Sequence, residues 1–215
     1  MLLENIQQAL DTGFPRIKLK IGRGWDLEVL KEVTTCFPYA TFHIDCNGGY
    51  TLDDLEFFKA IDPLGLAFIE QPLGYDDIID HAELAKKIDT PLCLDETIVS
   101  IERTKQALQI GACKYVNIKP GRVGGLANSI AIHNICRDSG VPVWVGGMLE
   151  SALGTAICIE LATLPNFTYP GDLFPSSRFY AQDICNQPIN LTSNLTFKPF
   201  THKLPVPNLE RLEKQ

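Results

Sequence analysis

The 215-residue sequence lacks most of the signatures that announce a cofactor, a soft metal or a membrane. No GxGxxG or Walker pattern occurs, and the glycine-rich GRVGG and WVGGM resemble phosphate cradles only weakly. None of the seven cysteines shows CxxC or CxH spacing, so neither a zinc knuckle nor a redox pair is indicated. An odd, scattered set of cysteines argues against a disulfide framework and for a reducing cytoplasm. Cys36, Cys113, Cys136 and Cys158 fall in or beside expected helices and strands and read as small core fillers. Cys46 and Cys93 lie nearer the chemistry described below, yet read as packing residues rather than reactive thiols. His43, His81, His133 and His202 have no ligand spacing, which leaves zinc weak. Net charge is −7 without any basic block, which disfavours nucleic acid and anionic membranes as partners. No apolar run approaches the length of a membrane span. The opening LLENIQQALDTG is amphipathic, carries Glu4 and Asp11, and has no basic region or cleavage site of a signal peptide.

What is present is an ordinary globular composition, 45% hydrophobic and 21% charged, with strand and helix signals in alternation. Strands are expected over 16–21, 41–46, 66–71, 92–95, 115–119, 141–145 and 167–169. Helices are expected at the amino terminus and over 26–35, after a Thr51 cap, and over 76–87, 100–110, 124–138 and 150–163. Strict βαβα order implies a parallel sheet, and the reading is an α/β fold of (β/α)₈ TIM-barrel type. Seven strands are counted where a closed barrel has eight, and the shortfall lies at the amino end. The barrel is assigned to residues 1–184, and 185–215 to a tail rich in Ser, Asn, Pro and Thr with little regular structure.

Five ionisable residues close consecutive strands on a near-constant pitch: Lys20, Asp45, Glu70, Asp95 and Lys119, spaced 25, 25, 25 and 24 residues apart. Strand periodicity puts Lys18 with Lys20 on one face and Ile17, Leu19 and Ile21 on the other. Asn117 and Lys119 likewise oppose Val116 and Ile118. Charges on the inner face of a barrel are costly unless they are paired or hold a metal. Internal salt bridges are the plain alternative, but five residues in register at one mouth favour a site. Three carboxylates suit a hard cation, Mg²⁺ or Mn²⁺, while His43 reads as a satisfied core histidine. The like charge of Lys18 is expected to lower the pKa of Lys20 and make it a usable base. Two lysines flanking a metal-bound carboxylate suit proton abstraction alpha to that group. A Schiff-base aldolase would leave the three carboxylates unexplained, and a non-catalytic binding module is the remaining alternative. Gly146, Gly147 and Met148 end the 141–145 strand and either leave room for substrate or form a turn.

The motifs Lys18-Leu-Lys20, Asp45-Cys-Asn47, Glu70-Gln-Pro72, Leu94-Asp95-Glu96, Asn117-Ile-Lys119-Pro-Gly-Arg122-Val-Gly-Gly125 and Gly146-Gly-Met-Leu-Glu150 resemble the barrel domain of the enolase superfamily, muconate-lactonizing subgroup. The likeness is strongest to o-succinylbenzoate synthases of the N-succinylamino acid racemase type. Leu164-Pro-Asn-Phe167 and Ser176-Ser-Arg-Phe-Tyr180 add to it. The resemblance implies that Asp45, Glu70 and Asp95 bind Mg²⁺ and that Lys20 and Lys119 form the acid/base pair. Lys18 and Asn47 would support them, with Gly147 and Met148 at the substrate. It implies a small-molecule carboxylate substrate and either a dehydration in menaquinone synthesis or a racemisation or epimerisation on the same site. It also implies an amino-terminal capping domain and a first barrel strand, neither of which is visible here. The expected partners are therefore that domain or further copies of the chain.

Overall fold

The computed structural model describes residues 1–200 and 203–213, so His202 lies outside the described residues. The elements run α1 (Leu2–Thr12), β1 (Ile17–Lys20), α2 (Asp26–Cys36), β2 (Phe42–Asp45), α3 (Leu55–Ile61), β3 (Ile69–Glu70), α4 (Ile78–Leu84), β4 (Leu92–Leu94) and α5 (Ile101–Gln109). There follow β5 (Tyr115–Ile118), α6 (Pro120–Val123), α7 (Leu126–Asp138), β6 (Val143–Val145), α8 (Ala152–Leu161) and α9 (Leu209–Leu212). Helix starts follow side-chain chemistry: the hydroxyls of Ser100 and Ser151 accept from Arg103 and Gly154 amides. Thr51 and Asp54 form a capping box at a short 3₁₀ turn ahead of α3.

Among the described residues the strands form one parallel sheet in the order β1-β2-β3-β4-β5-β6. The register aligns Lys20 with Asp45 and Asp45 with Glu70. Glu70 then pairs with Cys93, so Asp95 stands two residues further along, just past the end of β4, and Lys119 likewise follows β5. The expected seventh strand does not form. Residues 167–172 make only isolated bridges, Val143 to Phe167 and Gly146 to Asp172, because Pro170 has no N–H to donate to a ladder. That segment nevertheless reaches back across the fold. Arg16 Nε donates to the Pro170 carbonyl at 2.9 Å, and the Arg16 guanidinium stands over the Trp144 and Tyr169 rings. The sheet is thus curled into an open barrel.

Period-two alternation divides each strand between two cores. Ile44, Ile69 and Leu92 face outward onto Leu30, Val33 and Phe58 of α2 and α3. Leu94, Val116, Ile118, Val143 and Val145 face α7 and α8 in the same way. The concave face carries Phe68, Cys93 and Trp144 with Tyr115 and Tyr169 against them, an aromatic floor beneath the charged row. Beyond residue 184, Cys185, Ile189, Phe197 and Phe200 pack on Ala152, Ala156 and Ile159 of α8. Cysteines are free throughout the described residues, and all are buried except Cys36, which is exposed at the end of α2 rather than filling the core. Cys46 and Cys93 are fully enclosed, and burial raises both thiols far above their ordinary range, so they are packing residues. No helix among the described residues is long and apolar enough to cross a membrane.

Candidate active site

The strand-end row is real, and its charges are tightly paired. On one flank Lys20 Nζ donates to Asp45 Oδ2 at 2.6 Å and to Asn47 Oδ1 at 2.6 Å. Asn47 is fixed in turn: its amide N–H donates to Asp45 Oδ1 and its Nδ2 to Glu96 Oε1. Lys18 Nζ bridges Asp45 Oδ2 at 2.9 Å and Glu70 Oε2 at 2.8 Å. On the other flank Lys119 Nζ donates to Asp95 Oδ2 at 2.7 Å. Arg122 clamps the same residue through Asp95 Oδ1 and its backbone carbonyl. Between the flanks lies Glu70, wholly buried, whose Oε1 accepts from Asn117 Nδ2 at 3.0 Å.

Electrostatics follow from this crowding. Burial pushes Glu70 up to about 7, with Asp45 and Asp95 adding to the rise and Lys18 opposing it. Burial alone would lower the Lys18 ammonium, but Glu70 and Asp45 overcome it and hold it above the usual lysine range. Lys18 is therefore not the uncompensated positive neighbour of Lys20 that its sequence position suggests. Asp45, despite its burial, is held below the usual carboxylate range by Lys18 and Lys20.

Among the described residues no three His, Cys, Asp or Glu side chains stand ready-grouped around an ion position, because lysine ammoniums lie against these carboxylates. The donor chemistry nonetheless fits a hard divalent cation. All three candidates are carboxylates at the ends of consecutive strands, and the buried Glu70 Oε2 is held only by the Lys18 ammonium, whose place a cation could take. His81 and His133 are engaged elsewhere, their Nε2 atoms accepting from the Leu73 and Asn166 amides.

The backbone serves the same mouth. Asn47 and Gln71 take positive φ, 45° and 39°, within two residues of the strand ends, a costly conformation typical of functional turns. Gln71 is buried and secures the next strand, its Oε1 accepting from the Asp95 and Thr97 amides. Gly146 is the glycine that touches the chemistry: a Cβ there would meet Asn117 Oδ1 at 2.3 Å and Lys119 Cε at 2.7 Å. Gly147 instead packs its backbone on Asp172, donating to its carbonyl at 2.8 Å, and Met148 is half exposed on the rim.

Several participants are not marked by the strand-end pitch. Asp172, from the segment that forms no strand, lies 3.8 Å from Lys18 Nζ. Tyr169 and Arg16 reach the interior from opposite ends of the sheet. Only the short Gly171-Asp172 step after the last apolar run could have flagged Asp172. His43 departs from the satisfied core histidine expected of it. It faces inward, and its Nε2 lacks a partner 3.6 Å from Glu70.

A curled parallel sheet with charged side chains closing consecutive strands defines the class: a (β/α) barrel with its site at the carboxyl mouth. The enolase C-terminal domain-like family matches residues 1–195, and the chain belongs to that family. Its relatives include an N-succinylamino acid racemase from Thermus thermophilus, 44% identical over 193 residues, covering 90% of this chain and 52% of the relative. An o-succinylbenzoate synthase from Geobacillus stearothermophilus is 44% identical over 198 residues, covering 92% and 53%. Among solved structures, a member of the enolase superfamily from Listeria innocua superposes with a TM-score of 0.88 at 36% identity, covering 99% of this chain and 58% of that one. The chain spans about half the length of the curated relatives it matches. Members of the superfamily generally use Mg²⁺.

Proposed function

We propose that this chain is the barrel portion of an o-succinylbenzoate synthase-like dehydratase acting on a small carboxylate in menaquinone synthesis. The observation that carries the reading is the pair of lysines approaching the carboxylate row from opposite flanks, Lys20 through Asp45 and Lys119 through Asp95. Asp45, Glu70 and Asp95 would hold Mg²⁺, with Mn²⁺ able to substitute; when bound it stabilises the negative charge that develops on the substrate carboxylate. Lys20 takes the proton alpha to that carboxylate. The resulting ammonium then returns a proton to the departing hydroxyl, which leaves as water. Lys119 presents a fixed positive charge to the opposite face of the same carbon. Gly147 and Met148 border the substrate, and Lys18 and Asn47 orient the Asp45–Lys20 pair.

A second reading, racemisation of an N-acylamino acid, uses the same atoms. Lys20 and Lys119 then exchange protons on opposite faces. The similarity to the racemase from Thermus thermophilus favours keeping it. Measuring dehydration of the succinylbenzoate precursor and racemisation of N-succinylamino acids on one preparation, with and without chelator, separates the readings. Turnover of neither substrate, in the chain supplemented with a relative's capping domain, overturns both.

The expected partner is a cover. Trp25, Tyr75 and Met148 are exposed large side chains on loops that follow strand ends, as a rim meant for burial would show. β1 pairs only with β2 among the described residues, so its other edge also invites a strand. Light scattering of the isolated chain should show concentration-dependent association, and a monomer at high concentration counts against this. A reducing cytoplasm suits the free cysteines.

A further inference from the structure

His43 sits two residues before Asp45 with its ring fully buried on the concave face of β2. Phe68, Trp144 and Tyr169 enclose it, with ring centroids at 4.5, 5.8 and 5.7 Å. An imidazole so enclosed is neutral, with one N–H donor and one acceptor nitrogen. Nδ1 stands 3.0 Å from the Tyr169 hydroxyl. Nε2 has no hydrogen-bond partner and faces Glu70 Oε2 across 3.6 Å, an oxygen already held by Lys18 Nζ at 2.8 Å. A buried ring nitrogen left unpaired opposite a carboxylate oxygen requires an explanation, since such groups are almost always satisfied.

We propose that His43 is a positioning residue for Glu70: Tyr169 donates to Nδ1, which fixes the Nε2–H tautomer and aims that hydrogen at Glu70 Oε2. The Lys18 ammonium on Oε2 favours the ionised carboxylate, and the reverse tautomer would set the bare Nε2 lone pair against that oxygen. The gap closes to a hydrogen bond with a carboxylate shift of roughly half an ångström. Lys18 grips the same oxygen from β1, so His43 holds Glu70 from one side while Lys18 shares it from another. The functional half of this inference rests on Glu70 being a metal-binding residue; the tautomer does not.

Nitrogen-15 NMR of the full chain, labelled at histidine, reads the tautomer directly, with His43 assigned by the signals lost in His43→Gln. The expected spectrum has a bare Nδ1 and a protonated Nε2, and Tyr169→Phe should mix the two tautomers. A protonated Nδ1 in the unsubstituted chain overturns the proposal. Calorimetric titration with Mn²⁺ reads the consequence: His43→Leu should weaken binding about tenfold, as loss of a partner behind a metal-binding group does. His43→Gln, whose side-chain N–H substitutes for Nε2–H, should recover most of that loss. Equal Mn²⁺ affinity in the unsubstituted chain and in folded His43→Leu overturns the positioning role. If His43→Leu does not fold, unchanged affinity in Tyr169→Phe does the same. Failure of the unsubstituted chain to bind Mn²⁺ removes the metal reading itself, an outcome distinct from either.

Discussion

The two flanks of the mouth hold their lysines in opposite ways. Lys20 is 62% exposed, tethered by Asp45 and by the side chain of Asn47. Lys119 is 13% exposed, pressed against an Asp95 whose second oxygen is taken by Arg122. A group that must collect a proton and pass it on needs room to move. A group that stabilises charge needs only to stay where it is, dry and preorganised. In the proposed dehydration the first flank would do the proton chemistry and the second the electrostatics, a division that the difference in exposure supports over an exchange between equals.

Breaking the exposed flank should have the largest effect. Lys20→Ala removes both the base and the acid of the proposed dehydration, and its rate should fall by about 10⁴-fold, the upper range for a positioned acid/base group. Near-normal dehydration in that variant would erase the contrast. Lys119→Ala should lose roughly 3–4 kcal/mol of transition-state stabilisation, about 10²–10³ in kcat, by analogy with removal of one oxyanion donor. If racemisation is the true reaction, the asymmetry disappears. Each single variant would then still exchange the alpha proton of one enantiomer with deuterated solvent while failing to racemise.

Glu70 sits between the flanks and tests whether they share one cation. Burial pushes its carboxyl up to about 7, and the group must lose its proton to bind a cation. Mg²⁺ affinity should therefore drop as pH falls through about 7, approaching tenfold per unit below it. Glu70→Gln should bind weakly with that pH dependence gone; calorimetry giving the same affinity in both proteins would remove Glu70 from the metal. The smallest effect should come from Gly146→Ala. The added methyl meets Asn117 and Lys119, so a loss of about 1–3 kcal/mol in stability is expected, with activity reduced on the Lys119 flank. A thermal melt unchanged by the substitution would show that the flank is less rigid than its burial indicates.

The sequence by itself determined the period-two division of every strand and therefore which residues line the mouth. Asp45 opposes Ile44 and Glu70 opposes Ile69 because adjacent side chains on a strand point to opposite faces, whatever surrounds them. Parallel pairing in register then sets Lys20, Asp45 and Glu70 side by side, while Asp95 and Lys119 stand just past the ends of their strands. The Thr51 cap and the Ser100 helix start were legible for the same local reason. Partnership was not. Lys18 reads from its spacing as a charge acting on Lys20, yet its ammonium belongs to Asp45 and Glu70. Residues 167–169 read as a strand, yet Pro170 and the curl of the sheet leave 167–172 with only isolated bridges, which carry Asp172 toward Lys18 and Tyr169 toward His43. Arg16 and Pro170 lie 154 positions apart, and His43 and Tyr169 lie 126 apart. Contacts of that kind are set by how far the sheet closes on itself. Closure depends on the packing of every intervening helix, which no local pattern encodes.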